Sequence, residues 1–325
     1  MSLRALDANF NRAREALRVL EDVARFDLED RELTSELKRL RHDLDALARP
    51  QALEFLSARA AASDVGRESD LPEPPDVVAA NLKRAQEATR SLEEHARGRF
   101  PRICSGAHRV RFRLYDLESR LRGPRGRLRA ARLCVLLDPA VARNDLERVA
   151  EEAIRGGADL LQLREKASDR ALFLRARSLA ALCRKRGVLF VVNDRADIAV
   201  ASGADGVHVG STDLPIRAAR SVVGAPRIVG ATTHSLAEAR AAVREGADYI
   251  SVGPMFPSPT KPGLPARGFD YLAAASRLGV PHFCIGGIAP GNVSRRLGRV
   301  AVCSAVVAAR DVAEAARAIR RRLTR

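Results

Sequence analysis

The feature that most constrains this chain is an alternation that begins after Arg127 and repeats eight times. Short apolar runs near 132–137, 159–164, 188–193, 205–209, 227–231, 248–253, 280–285 and 300–306 alternate with stretches of helical periodicity. A short apolar run without polar alternation reads as a strand buried on both faces, and such strands alternating with helices read as βαβ units of a parallel sheet. Eight units in just under 200 residues are the pattern of a compact (β/α)8 TIM barrel, so the expected class is α/β. An open doubly wound sheet is the alternative, because strand order along the chain does not show closure.

Before the barrel the sequence reads as helix only. The breaker-rich run Arg122-Gly123-Pro124-Arg125-Gly126-Arg127 separates the two regimes, which predicts an all-helical domain at 1–122, a linker at 123–130 and a barrel domain at 131–325. The helical part is duplicated. Residues 8–25 (ANFNRAREALRVLEDVAR) and 80–97 (ANLKRAQEATRSLEEHAR) agree at 11 of 18 positions, and a looser match follows between 40–44 and 113–117. Two copies of a helical hairpin are expected to pack as a four-helix bundle with pseudo-twofold symmetry. The Gly-, Pro-, Ser- and acid-rich stretch 58–75 reads as a long loop between the copies. At about 100° per residue, Ala13, Ala16, Leu17, Leu20 and Ala24 share one side of the first copy. Asn9 and Arg12 fall on or beside that side, and Asn81 and Arg84 repeat them. A polar pair at a buried edge should cap, bridge helices or bind a ligand.

The formal charge of +16 raises the question of nucleic acid, but its distribution argues against that partner. The cations are 51 Arg against 5 Lys, spread through every segment and accompanied by no aromatic platform or recognised binding motif. Residues 1–127 carry 25 basic and 22 acidic side chains and residues 128–325 carry 31 and 18, so the excess lies in the barrel, where a focused field suits anionic substrates. No window approaches the roughly 18 to 20 apolar residues of a membrane span, and the charged start Met1 to Arg14 has no signal core. The expectation is a cytoplasmic protein with no membrane partner. Cys104, Cys134, Cys183, Cys284 and Cys303 are widely spaced and suggest neither a disulfide framework nor zinc.

In a (β/α)8 barrel the reacting groups gather at the carboxyl ends of the strands. On the strand assignment above, Gln162-Leu163-Arg164-Glu165-Lys166 ends strand 2 and Asn193-Asp194 ends strand 3. Asp213 follows strand 4, Thr232 follows strand 5, Ser258-Pro259-Thr260-Lys261 follows strand 6, Gly286-Gly287 follows strand 7, and Cys303-Ser304 lies at strand 8. Two carboxylates and several cations facing one mouth are what a diphosphate-handling enzyme needs, since Mg²⁺ takes one or two carboxylates plus substrate phosphate. Each motif has a plainer reading. Asp194 and Asp213 both suit helix caps, the lysines suit the surface, His208 and His234 suit structural roles, and the glycine pair suits a tight turn. Two of the five lysines nevertheless fall inside these motifs, in a chain that otherwise uses arginine.

At these positions the chain resembles thiamine phosphate synthase, over about residues 130–325. QLRxK, ND, the HxGxxD of His208 to Asp213, the GxxTH of Gly230 to His234, GPxFPxxTK and GGI occur in the family's order. The resemblance implies condensation of 4-amino-2-methyl-5-(diphosphomethyl)pyrimidine with thiazole phosphate, giving thiamine phosphate and diphosphate. It further implies that diphosphate leaves first and that the thiazole nitrogen captures the pyrimidine methyl cation, so no side-chain nucleophile is required. Gln162, Leu163, Arg164, Glu165, Lys166, Asn193, Thr232 and Lys261 would then hold the pyrimidine diphosphate, with Arg164, Lys166 and Lys261 acting on the leaving group. Asp194 and Asp213 would hold Mg²⁺. Ser258, Pro259, Thr260, Gly287, Cys303 and Ser304 would hold the thiazole phosphate. Thr232 stands where the family usually has Ser, Ser258 where it has Thr, and Cys303 where it has Val or Ile, which suggests altered affinity with activity kept.

The helical part resembles the extension often fused ahead of that enzyme and regarded as a hydroxymethylpyrimidine phosphate kinase. The resemblance covers roughly 3–122 through DANFNRAREALRVLED, Arg59 and Asp64-Val65-Gly66. It implies a second activity with ATP as co-substrate, although no P-loop is present. The alternatives are a noncatalytic helical dimerisation module, with a homo-oligomer left open, and a barrel like thiazole tautomerase, against which the two Asp and two Lys argue.

Overall fold

The computed structural model describes residues 2–28, 30–58, 76–257, 266 and 268–324. The chain divides into two compact units, Met1–Gly126 and Arg127–Arg325. Among the described residues no helix is long and apolar enough to cross a membrane.

The first unit is all helical. Its described helices are α1 (Leu3–Asp22), α2 (Arg31–Ala48), the short α3 (Ala52–Ser57), α4 (Val77–Ala96) and α5 (Pro101–Arg122). The repeat copies form α1 and α4. These two pack on each other, α2 packs on α1, and α5 closes the ring against α2 and α4, giving the four-helix bundle the duplication predicts. Ala13, Ala16, Leu17 and Leu20 share one core with Leu82, Ala85, Ala88 and Leu92, and all eight are buried. Asp30 and Asp76 fix the starts of α2 and α4 by accepting the N–H of Leu33 at 3.0 Å and of Ala79 at 2.9 Å.

The polar pairs of the repeat divide between core and water, which corrects the expectation that both members sit at a buried edge. Asn9 and Asn81 are buried, and each donates Nδ2 to the carbonyl four residues back, Ala5 at 2.8 Å and Val77 at 2.9 Å. Arg12 and Arg84 are exposed, and Arg84 donates to Asn81 Oδ1 at 3.0 Å. An amide can find its partner within its own helix, whereas a guanidinium without a carboxylate is too costly to bury. Buried carboxylates do recur in the repeat: Glu21 is held by Arg41 at 3.0 Å, and its repeat equivalent Glu93 by Arg111 at 2.5 Å.

Helix α6 (Pro124–Ala130) spans the boundary between the two units and occupies most of the stretch expected as linker. The strands are β1 (Leu133–Leu137), β2 (Leu160–Leu163), β3 (Leu189–Asn193), β4 (Gly206–Val209), β5 (Ile228–Thr233), β6 (Tyr249–Val252), β7 (His282–Ile285) and β8 (Val300–Val302). Every neighbouring pair is parallel, and β1 also pairs with β8, Leu133 beside Val300. The sheet is therefore a closed barrel and the open alternative is excluded. The connecting helices are α7 (Leu146–Arg155), α8 (Asp169–Arg186), α9 (Ala196–Ser202), α10 (Ile216–Val223), α11 (Leu236–Arg244) and α12 (Gly268–Ala275), and α13 (Ser304–Val307) and α14 (Val312–Thr324) follow β8.

Two boundaries that bear on the site differ from the sequence reading. β5 runs on to Thr233, so Thr232 lies within the strand. β8 stops at Val302 where a strand to 306 is expected: Cys303 turns out of the extended region, at φ −120° and ψ −92°, and its carbonyl accepts the N–H groups of Val306 and Val307 to begin α13. A short apolar run does not by itself distinguish a strand from a buried helical turn.

Candidate active site

Strand parity decides which residues reach the mouth. Successive side chains alternate between the inside of the barrel and the layer beneath the helices. Cys134, Leu136, Leu160, Leu189, Val191, Ile228, Tyr249, Phe283 and Ala301 form one core cluster, while Leu133, Val135, Leu137, Leu161, Leu163, Phe190 and Val192 belong to the other. Continued toward the carboxyl ends, the parity of the first set carries Asp138, Gln162, Arg164, Asn193, His208, Thr232 and Cys303.

These side chains are joined to one another. Gln162 Nε2 donates to Asn193 Oδ1 at 2.8 Å across β2 and β3. Arg164 Nη1 donates to Asp138 Oδ2 at 2.7 Å, and the other carboxylate oxygen of Asp138 accepts the Ala140 N–H at 3.0 Å. His208 lies between Tyr249 and Thr232, with Nδ1 3.0 Å from the phenol oxygen and Nε2 3.0 Å from the threonine hydroxyl. Leu163 and Glu165 have the opposite parity. Leu163 is fully buried in the outer core, and Glu165 forms an ion pair with Arg175 of α8 at 2.9 Å, at an angle that is not that of a hydrogen bond. A ligand contact from either of these two falls to the main chain.

The two expected metal carboxylates face each other, and neither is a helix cap. The cap positions of α9 and α10 are Arg195 and Pro215. Asp194 has φ +63°, and the Arg195 N–H turns back onto the Asn193 carbonyl at 2.7 Å, so Asp194 sits at the apex of a tight three-residue turn. It is the one non-glycine residue with positive φ among those described. Such backbone persists where surrounding structure enforces it, here by the Asp194 N–H donating to the His208 carbonyl at 2.8 Å. Asp213 Oδ2 accepts the Gly210 N–H at 2.6 Å. Burial pushes the Asp194 carboxyl up to about 6, the Asp213 carboxyl hydrogen-bonded to it pushes in the same direction, and Arg164 and Lys166 pull the other way. Two acids that cannot comfortably both ionise, with two cations in electrostatic reach, form a donor set that fits a hard divalent cation shared with phosphate.

At the other side of the mouth, Gly286 and Gly287 both have positive φ, at +94° and +64°. A side chain on Gly287 would collide with the Pro257 carbonyl and with Phe256, so the pair provides close backbone approach as well as a turn. The Cys303 thiol is pushed up to about 11 by burial, with the Asp138 charge adding and Arg164 opposing, which makes it a poor nucleophile. Ser304 is exposed at the start of α13. Ser258, Pro259, Thr260 and Lys261 lie outside the described residues, as do Arg59 and Asp64-Val65-Gly66. Sequence reasoning missed Asp138 and Tyr249. The signal for Asp138 was parity, since a carboxylate one residue past an apolar strand faces the mouth.

Comparison with known proteins settles the family. The sequence profile described as thiamine monophosphate synthase matches residues 133–309, and the profile of the ThiD2 family matches residues 4–120. A thiamine-phosphate synthase of Thermosynechococcus vestitus is 40% identical over 99% of this chain and 95% of its own length. The chain belongs to the thiamine-phosphate synthase family. A second such synthase, of Nostoc punctiforme, is 41% identical over 90% of this chain and 84% of its own. Among solved structures, a thiamine phosphate pyrophosphorylase from Pyrococcus furiosus superposes with a TM-score of 0.55 at 33% identity, covering 62% of this chain and 97% of its own. The chain is accordingly a thiamine-phosphate synthase, a transferase with a TIM barrel, carrying a ThiD2 segment ahead of it.

Proposed function

We propose that the synthase domain, residues 131–325, joins a hydroxymethylpyrimidine diphosphate to a thiazole phosphate at the barrel mouth and releases diphosphate. Asp194 and Asp213 would hold Mg²⁺, which when bound neutralises charge on the diphosphate as it leaves. Arg164, Lys166 and Lys261 act on the same charge, and they are worth most as it develops. Gln162 and Asn193 hold each other's amides in register, so Asn193 Nδ2 and Gln162 Oε1 face the pyrimidine with one donor and one acceptor. Thr232, with main-chain groups at Leu163 and Glu165, completes that half of the site. Ser258, Pro259, Thr260, Gly287, Cys303 and Ser304 take the thiazole phosphate. The half-buried Cys303 thiol attacks nothing, in keeping with a reaction in which the incoming nucleophile is the thiazole nitrogen itself.

The observation that carries this reading is the facing pair Asp194 and Asp213, one of them on a strained left-handed turn, beside Arg164 and Lys166. The test is product formation by the full chain carrying Asp194→Asn or Asp213→Asn, with the fold checked by circular dichroism. Loss of most turnover in both variants supports the assignment. Near-normal turnover that still requires Mg²⁺ places the metal elsewhere.

The helical segment, residues 1–122, with 123–130 as its junction to the barrel, is assigned the phosphorylation of the pyrimidine monophosphate by ATP, which would supply the barrel's substrate. The match of residues 4–120 to the ThiD2 family supports it. Incubated with ATP, Mg²⁺ and the pyrimidine monophosphate but no thiazole phosphate, the full chain should form ADP and the pyrimidine diphosphate in equal amounts. ADP formation no faster than without the pyrimidine overturns the assignment and leaves the dimerisation reading in its place.

A further inference from the structure

Among the polar groups at the barrel mouth, one chain of three runs from the buried interior outward, and its protons can be counted. Tyr249 on β6 is buried at 2% exposure, its ring tilted against His208 at 5.4 Å and edge-on to Phe283 at 5.6 Å. It occupies space that exists only because residue 230 is glycine: Gly230 is its register partner on β5, and a Cβ there would fall within the phenol ring. The ring is therefore fixed. Its hydroxyl has a single hydrogen-bonding neighbour among the described residues, Nδ1 of His208, 3.0 Å away.

A phenol carries one proton, and a buried O–H without an acceptor forfeits a bond it had in water. Tyr249 must then donate to Nδ1. In a neutral imidazole one ring nitrogen accepts and the other carries the proton, so His208 holds its proton on Nε2. That N–H points to Thr232 Oγ1 at 3.0 Å, which makes the threonine oxygen an acceptor toward the protein. The hydroxyl proton of Thr232 has no acceptor among the described residues, and its side chain is half-buried at the end of the inward-facing parity.

We infer that Tyr249 and His208 are positioning residues that fix the direction of one proton, so that Thr232 presents a hydrogen-bond donor to the bound ligand. The ligand atom it meets is an acceptor of the pyrimidine diphosphate, either a ring nitrogen or a phosphate oxygen. The identity of that ligand rests on the functional reading above, whereas the tautomer does not. The same relay explains a spacing in the sequence: the glycine of GxxTH makes room for the phenol that orients, through His208, the threonine two residues further along.

The tautomer is read from long-range ¹H–¹⁵N correlations of the full chain labelled at histidine, with His208 assigned by its loss in His208→Gln. A signal pattern with the proton on Nε2 supports the relay, and one with the proton on Nδ1 overturns it. The ligand half is read from kinetics and binding. Tyr249→Phe and His208→Leu should each lower kcat/KM by about tenfold, the scale of one misdirected hydrogen bond. His208→Gln, whose amide can still donate to Thr232, should recover most of what Leu loses. If binding of inorganic diphosphate weakens in step with kcat/KM, the acceptor is a phosphate oxygen; if it is unchanged, the acceptor is on the ring, and either result supports the inference. Equal kcat/KM in the Leu and Gln variants overturns it, because a purely steric role would not distinguish them. A chain with the expected tautomer that forms no thiamine phosphate overturns the functional reading and the ligand half together, leaving the relay as structure alone.

Discussion

Mg²⁺ affinity should fall with pH in a way that depends on Asp213. The Asp194 carboxyl is pushed up to about 6, first by burial and then by Asp213. Metal binding needs the ionised form, so proton and cation compete. For a group with a pKa of about 6, the ionised fraction falls from about 0.97 at pH 7.5 to about 0.24 at pH 5.5, and apparent affinity should fall about fourfold from this one group. Asp213→Asn removes both a ligand and the like charge. Its affinity at pH 7.5 should be lower, while its dependence on pH over the same interval should be flatter, because the Asp194 midpoint moves down. Stability follows the same sign. A carboxyl whose folded pKa is raised contributes stability that is full below its unfolded value near 3.9 and lost as pH rises through about 6. Without metal, Asp213→Asn should therefore melt higher than the wild-type chain at pH 7.5, and the gap should narrow as pH falls to 5.5 and close only toward the unfolded value near 3.9. Calorimetric titration with MgCl₂ and thermal melts across this range measure both. An affinity with the same slope in wild type and variant, or a melting gap that does not change with pH, would refute the pairing of these two carboxylates.

Three further expectations concern named residues. Gly230→Ala places a methyl group within the Tyr249 ring, and the overpacking should destabilise the barrel by about 1–3 kcal/mol in a urea melt; an unchanged midpoint would mean that the phenol is free to move. Asp138→Asn removes the charge that holds Arg164, which is itself about half exposed, so stability should change by less than about 1 kcal/mol while KM for the pyrimidine diphosphate rises severalfold. A lower KM would show instead that Asp138 competes with the substrate for the guanidinium. Lys261→Ala should lower turnover by about 10², the scale of one preorganised electrostatic contact, and a variant with normal kcat and weaker binding alone would count against a leaving-group role.

Much of this arrangement could be read from residue order. Eight apolar runs alternating with helices predicted the barrel, and the repeat of 8–25 at 80–97 predicted the bundle, because both signals are periodicities that packing must obey. The edges were harder. Val306 and Val307 are apolar whether they extend a strand or bury a helical turn, and only the backbone at Cys303 decides it. Arg12 and Arg84 recur beside an apolar stripe, yet recurrence does not say that the guanidinium reaches water while the neighbouring asparagine stays inside. At the mouth, the motif QLREK presents five consecutive residues as one unit, and strand parity divides it: Gln162 and Arg164 inward, Leu163 and Glu165 toward the helices. Asp138 and Tyr249 belong to no motif. Parity alone places Asp138 at the mouth, but its pairing with Arg164, like that of Tyr249 with His208, runs across strands, which single-sequence spacing does not carry.

The most direct measurement supplies the full chain with the pyrimidine diphosphate, thiazole phosphate and Mg²⁺, and follows thiamine phosphate and inorganic diphosphate together. The account predicts that both appear in a one-to-one ratio, and that both are abolished by chelating the metal and by Asp194→Asn with Asp213→Asn. Diphosphate released without thiamine phosphate, or thiamine phosphate formed at the wild-type rate by the doubly substituted chain, would contradict it.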